Sequence, residues 1–246
     1  MEISLRAVVS IKISSSIIIL FPAKRVSSFF SSKIIFPEKA FFIFSLLVLS
    51  GVLAQIDQDI TVVIQSRLTK TLDTPLSFLS LLGAAEITTF FLLIALFFMK
   101  LHRSLITLLM FALGTGIELL GKTFLYHPGP PNIFFRYNLE VLFPSAYVQT
   151  GHSYPSGHSF RTAFLTVLVG YLIFQSKKLS QRSKKSLSLL CYLFLFLMLL
   201  SRVSLGEHWT TDVIGGLLLG AGLAGLSISL ITPGTNSGNF DSKLVK

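Results

Sequence analysis

The sequence predicts an all-α membrane protein, a polytopic bundle of about six transmembrane helices. The chain of 246 residues is 52% hydrophobic and only 13% charged, and its mean hydropathy is +0.73. A soluble domain carries roughly 25% charged residues. Because so little charge leaves too much apolar surface for one water-soluble core, a bilayer is the solvent that fits this composition.

Six apolar segments predict the spans, since a transmembrane helix needs ~20 mostly apolar residues. The second is expected to begin near Leu76, and the mixed polar and apolar stretch Ile60–Leu79 is interpreted as an interfacial helix. The segments form two groups of three, separated by a loop over residues 122–157. They are Ala40–Gln55, Ile87–Met99, Leu105–Gly121, Phe160–Phe174, Ser186–Leu200 and Val213–Ile231.

The basic loops predict the orientation and the divisions of the chain. Lys and Arg cluster in the Ser-rich segment 1–38, in the loop QSKKLSQRSKK and in the tail 235–246. Since Lys and Arg favour the cytoplasmic side, both termini are expected there, around a six-span domain at 39–234. The expected location is a bacterial inner membrane. A signal peptide is the alternative for the N-terminal segment, but no small-residue cleavage site follows its apolar core.

The net charge of +10 is explained by these loops and by anionic lipid head groups. Nucleic-acid binding is not expected, because the basic residues lie in short loops between apolar segments. The single cysteine, Cys191, excludes an intramolecular disulfide.

Three polar clusters lie at the predicted outer ends of spans: KTFLYHPGPP from Lys122, YPSGHS from Tyr154 and SRVSLGEHWTTD from Ser201. Each has a structural interpretation when it is taken alone. Ser156 suits a helix N-cap, Asp212 suits the first turn of a helix, and Arg202 suits a snorkelling anchor.

Taken together, the clusters predict a phosphate site. Lys122, His158, Arg202 and His208 bring cationic or ionisable groups to one membrane face. Asp212 follows His208 by four residues, so on a helix it can accept the Nδ1 proton and leave Nε2 free to attack. Backbone amides of Ser156, Gly157 and His158 at a helix start are expected to hold phosphate oxygens.

The clusters resemble the three-part signature of the type 2 phosphatidic acid phosphatase superfamily: K-x6-RP, PSGH and SR-x5-H-x3-D. The second motif is complete at residues 155–158 and the third at residues 201–212. The order, the positions at span ends and the six-span layout also match, over roughly residues 76–232.

The resemblance implies a hydrolase of lipid or prenyl phosphates, such as undecaprenyl diphosphate or phosphatidic acid, without metal or other cofactor. His208 would be the nucleophile that forms a phosphohistidine, Asp212 would orient it, and His158 would protonate the leaving oxygen. The residues implied in phosphate binding are Lys122, Arg202, Ser156 and Gly157. A phosphotransferase of the same fold and a non-catalytic lipid-phosphate binder or transporter are the alternatives. The sequence does not indicate an oligomeric state.

The first motif departs from the family pattern, because the expected arginine falls at Gly129. His127, Arg136 and Arg161 are candidate replacements. Arg161 is preferred, because a charged residue at the start of a membrane span is costly and therefore indicates a function. Snorkelling to outer head groups is the open alternative for Arg161. Glu118 precedes Lys122 by four residues, which predicts a supporting ion pair.

Overall fold

All regular structure in the described residues is helical. The computed structural model describes residues 36–136, 139, 143–144 and 151–232, and these ranges contain no β-strand. The all-α prediction is therefore confirmed for this part of the chain. Two short 3₁₀ helices lie at Lys70–Leu72 and Asn132–Phe134. The α-helices of the described ranges are α1 Phe36–Leu49, α2 Ala54–Arg67, α3 Asp73–Leu81, α4 Ala85–Phe97, α5 Leu101–Phe124, α6 Gly157–Gln175, α7 Gln181–Ser204 and α8 Thr210–Ile231.

The long helices α5, α6, α7 and α8 are each apolar and long enough to cross a membrane. Two bent pairs bring the number of spans in the described residues to as many as six. In the first pair α1 and α2 meet at 98°, and in the second pair the helical stretch Lys70–Leu81 meets α4 at 51°. The predicted number of about six spans agrees with this arrangement.

The predicted first span, Ala40–Gln55, is not one continuous helix, because α1 ends at Leu49 and α2 begins at Ala54. The chain turns at Gly51, whose φ of +70° is a conformation that glycine adopts without steric cost. The predicted interfacial helix Ile60–Leu79 is also interrupted, because α2 ends at Arg67 and α3 begins at Asp73. Asp57 and Thr61 of α2 are 1% and 0% exposed, so the side of the helix that carries these two residues faces the protein interior.

The closest helix packing in the bundle is between α6 and α8. A Cβ placed on Gly216 would lie 2.3 Å from the carbonyl oxygen of Ser156, and one on Gly220 would lie 2.2 Å from that of Phe160. Glycines at this spacing let two helix backbones approach closely, as in membrane helix pairs. The contact brings the N-termini of α6 and α8 side by side, and the Ser156 amide donates to the Asp212 carbonyl at 3.0 Å.

The loop after α5 is tied to the bent pairs by Arg136. Its guanidinium donates to the carbonyl oxygens of Gln65 and Leu68 and, at 3.2 Å, to the carboxylate of Asp73. Gln65 in turn donates to the carbonyl oxygen of Phe134 at 2.7 Å. Arg136 is thus committed to anchoring the loop, which removes it as a replacement for the arginine expected at Gly129.

Several sequence predictions lie outside the described residues. These are the N-terminal segment up to residue 35 and the tail 235–246. They stay predictions.

Candidate active site

Four helix ends meet at one end of the bundle and carry the residues that the sequence singled out. The last turns of α5 and α7 supply Lys122 and Arg202, and the first turns of α6 and α8 supply His158 and Asp212. Consecutive helices run in opposite directions, so the end of one helix and the start of the next lie on the same side of the bundle. The turn between α7 and α8 adds His208.

His208 and Asp212 form the predicted imidazole–carboxylate pair. Nδ1 of His208 lies 3.2 Å from Oδ2 of Asp212, which leaves Nε2 as the outward nitrogen. The same carboxylate oxygen accepts the backbone amide of Trp209 at 3.0 Å and so caps α8. Burial first, and then the positive charges of Arg202 and Lys122, hold the pKa of His208 well below 6.5. The imidazole is therefore kept in the neutral form that a nucleophile requires.

His158 lies at the start of α6, among the cations of the site. The positive charges of Arg202, Arg161 and Lys122 act on it electrostatically. Its ring packs against the break between α3 and α4, where a Cβ on Gly83 would lie 2.7 Å from Cδ2. This contact holds the ring in one place, as a group that transfers a proton requires.

Glu118 bridges two cations from different helices. Its Oε1 accepts from Lys122 Nζ at 2.8 Å, and its Oε2 accepts from Arg161 Nη1 at 2.8 Å. The predicted pair with Lys122 is thus present. Arg161 is buried and directed into the site, so the interpretation as a residue snorkelling to outer head groups is wrong. The bridge lies against Gly157, where a Cβ would be 1.9 Å from Oε1 of Glu118.

Arg202 is held by two polar partners inside the protein. Its guanidinium donates to the hydroxyl of Ser80 through Nη1 and to the carboxylate of Glu207 through Nη2. The side chain is 4% exposed, which excludes the snorkelling interpretation. Ser80 and Glu207 could not be predicted from the sequence, because nothing in the spacing of LSLLG or LGEHW marks them as partners of an arginine.

The expectation for Ser156 needs a correction. Its backbone amide is already bonded to the Asp212 carbonyl, and its hydroxyl caps α6 by accepting the Ser159 amide at 3.5 Å. The first amides within α6, those of Gly157 and His158, have no partner inside the helix by its geometry. They are the backbone donors that can receive an anion at this helix start.

Three residues near Asp212 were not assigned to it from the sequence. Nε2 of His127 lies 3.4 Å from Oδ1 of Asp212 and 3.2 Å from the hydroxyl of Thr211. That hydroxyl donates to Asp57 at 2.6 Å. The sequence predicts His127 only as a phosphate ligand. Asp57 comes from α2, and no spacing in the sequence connects it to the third motif at residues 201–212.

The site combines two histidines, a carboxylate and several cations in a largely buried setting. Within the described residues, no group of three or more His, Cys, Asp or Glu side chains is arranged to hold a metal ion. Lysine, arginine and backbone amides are the donors that stabilise a transferring phosphoryl group, and the neutral imidazole of His208 can attack its phosphorus.

These features define an integral membrane helix bundle with a histidine–aspartate site at one end. The sequence profile of the PAP2 superfamily matches residues 103–234, more than half of the chain. The protein therefore belongs to the PAP2 superfamily, as the three motifs indicate.

Similar proteins come from two bacteria. Phosphatidylglycerophosphatase B of Bacillus subtilis (strain 168) is 33% identical over 72 residues, which cover 29% of this chain and 36% of that protein. The match thus spans about a third of the curated relative. The crystal structure of the transmembrane PAP2 type phosphatidylglycerolphosphate phosphatase from Bacillus subtilis has a TM-score of 0.67 and 23% identity, over 80% of this chain and 95% of that one. The crystal structure of Aquifex aeolicus LpxE has a TM-score of 0.51 and 22% identity, over 70% of this chain and 93% of that chain. At these identities the two structures support the fold.

Proposed function

We propose that the protein is an integral membrane phosphatase that hydrolyses a lipid or prenyl phosphate monoester or diphosphate at the outer membrane face. The observation that carries the proposal is the His208–Asp212 pair beside the cations Lys122, Arg161 and Arg202. Membership of the PAP2 superfamily supports it, and so does the relative named phosphatidylglycerophosphatase B. A protein that only binds or carries lipid phosphates would need the cations but not the His208–Asp212 pair.

The proposed reaction has two displacements at phosphorus. Nε2 of His208 attacks and the bond from phosphorus to the leaving oxygen of the lipid phosphate or diphosphate breaks. His158, which is protonated in the presence of the bound phosphate anion, gives its proton to that oxygen. Asp212 balances the positive charge of the phosphorylated ring through Nδ1–H. Water then attacks the phosphorus while His158 accepts its proton, the P–N bond breaks, and inorganic phosphate leaves with His208 neutral again.

The phosphate oxygens are assigned to the cations Lys122, Arg161 and Arg202 and to the amides of Gly157 and His158. Lys122 and Arg161 act as one unit because Glu118 fixes the distance between them. In this proposal Arg161 supplies the guanidinium that the family places at the position of Gly129. Donors that are already in place cost little reorganisation when negative charge develops, which is how such groups accelerate phosphoryl transfer.

The test uses purified full-length protein in detergent with phosphatidic acid, phosphatidylglycerophosphate and undecaprenyl diphosphate, each with and without a chelator. Wild-type protein is expected to release phosphate from at least one of them in the presence of the chelator. His208→Ala should abolish release, and an acid-labile, base-stable phosphoryl label should appear on wild type alone. Equal phosphate release by wild type and His208→Ala from every lipid would exclude the proposed phosphatase activity.

The proposed location is a bacterial inner membrane with 1–38 and 235–246 in the cytoplasm. The positive-inside distribution supports it. A reporter that works only in the cytoplasm should be active when it is fused to the C-terminus, and a reporter that works only in the periplasm should be inactive there. The opposite result would place the site on the cytoplasmic face.

A further inference from the structure

Asp212 lies between two imidazole rings rather than one. Its Oδ2 lies 3.2 Å from Nδ1 of His208, and its Oδ1 lies 3.4 Å from Nε2 of His127. The second ring comes from the Pro/Gly loop after α5, the same loop that lacks the arginine at Gly129. Asp212 is 0% exposed, and its Oδ1 has no hydrogen-bond partner in the described part of the structure, so this buried oxygen depends on the attraction of nearby polar groups such as the ring of His127.

The neighbours of His127 fix which way its hydrogen bond runs. Asp57 accepts from Thr211 twice, from the amide at 2.9 Å and from the hydroxyl at 2.6 Å. Because the single hydroxyl proton of Thr211 goes to Asp57, its oxygen can only accept from His127 at 3.2 Å. Nε2 of His127 therefore carries a hydrogen, which it gives to Thr211, while Oδ1 of Asp212 lies 3.4 Å from the same nitrogen without a hydrogen bond to it.

The loop that carries His127 is itself well anchored. The amide and the hydroxyl of Ser153 both donate to the carbonyl oxygen of His127, at 3.0 Å each. The ring meets Tyr154 edge to face, with the centroids 6.1 Å apart. The position of His127 is thus set by residues that precede the PSGH motif and not by a ligand.

We infer that His127 is a positioning residue for the phosphoryl transfer proposed above, on which this inference rests. The N–H edge of its ring faces Oδ1 of Asp212 from 3.4 Å and attracts that oxygen electrostatically, so that Oδ2 stays directed at Nδ1 of His208 while the phosphohistidine forms and breaks. Asp57 and Thr211 hold His127 in turn, and they connect the bent pair of α1 and α2 to the nucleophile. The divergent first motif thus contributes to orienting the nucleophile.

The experiment measures kcat and KM on the lipid phosphate that wild type hydrolyses fastest. His127→Ala is expected to lower kcat about 10- to 100-fold with KM unchanged, because the buried carboxylate of Asp212 loses the N–H edge that faces its Oδ1. His127→Gln keeps an N–H donor and should recover much of the rate, whereas His127→Phe keeps a ring without the donor and should resemble His127→Ala. The inhibition constant of inorganic phosphate should be the same in all variants.

Three outcomes would overturn the inference while leaving the enzyme intact. These are an unchanged kcat in His127→Ala, an equal loss in His127→Gln and His127→Phe, and a rise in KM or in the phosphate inhibition constant, which would indicate direct contact with phosphate. If the His127 variants do not fold, Thr211→Val against Thr211→Ser tests the same network, and only the first should lose kcat. A wild type that hydrolyses no lipid would instead overturn the proposed function itself.

Discussion

The guanidinium of Arg161 and the carboxylate of Glu118 form a buried ion pair, with Nη1 and Oε2 2.8 Å apart. The other oxygen of Glu118 is bonded to Lys122 at the same distance. One carboxylate therefore keeps two cations of different helices beside the first turn of α6. Their combined charge remains positive, as a site for a phosphate dianion requires.

Replacement of Arg161 by Ala should lower kcat/KM for the lipid phosphate. The variant loses one cation and leaves Glu118 opposite Lys122 alone, so kcat/KM is expected to fall about 10- to 100-fold, the range for hydrogen bonds to charged groups. Arg161→Lys should retain part of the rate. Arg182→Ala, an exposed arginine at the other end of the bundle, is the matched control. Equal kinetics for Arg161→Ala and Arg182→Ala would remove Arg161 from the site.

A methyl group on Gly157 should displace the ion-pair bridge that Glu118 forms with Lys122 and Arg161. The Cβ of Gly157→Ala would lie 1.9 Å from Oε1 of Glu118 and 2.6 Å from Nη2 of Arg161, and both groups are pinned by their ion pairs. We expect kcat/KM to drop about 10-fold or more because the cations move from the phosphate position.

Gly170 offers a control for Gly157 on the same helix. A Cβ there meets nothing within 4 Å. Gly170→Ala should keep wild-type kinetics and an equal or higher unfolding temperature, since Ala is favoured over Gly in helices by ~1 kcal/mol. Similar losses in both variants would mean that the helix, and not the bridge, responds to the substitution.

Gly83 should matter for proton transfer and not for binding. In Gly83→Ala the new Cβ would lie 2.7 Å from Cδ2 of His158 and 3.0 Å from Sδ of Met198, so the imidazole must move. Because a misplaced general acid lowers the chemical step, kcat should fall by up to about 100-fold with little change in KM. Gly116→Ala, which meets nothing within 4 Å, is the control. A rise in KM alone would contradict the role of His158.

The ionisation of His208 can be followed directly. Its pKa lies well below 6.5 in the folded protein, chiefly because the ring is buried. A histidine NMR titration in detergent, assigned by the resonance missing in His208→Ala, should therefore show its midpoint below pH 6.5. The unfolded chain binds this proton at higher pH than the folded one, so the contribution of His208 to stability is present above pH 6.5 and is lost as the pH falls toward the folded pKa. A midpoint at or above 6.5 would contradict the structure.

Much of the site could be predicted because its parts are local in sequence. The four-residue spacing of His208 and Asp212 and that of Glu118 and Lys122 places each pair on one helix face, and both contacts are present. The partners of Arg202 and Arg161 could not be predicted in this way. Ser80 and Glu118 reach them from other helices, and the spacing within a helix carries no information about its neighbours.

The sequence by itself determined the helical membrane architecture, the approximate number of spans and the three polar clusters, since composition and short-range spacing decide these properties. Tertiary structure decided which groups face one another. The close glycine contact of α6 and α8 engages the Ser156 amide with Asp212. The bend at Gly51 turns α2 so that Asp57 reaches Thr211 and, through it, His127. A buried polar group needs a partner wherever the fold supplies one, and that partner is fixed only when the helices pack.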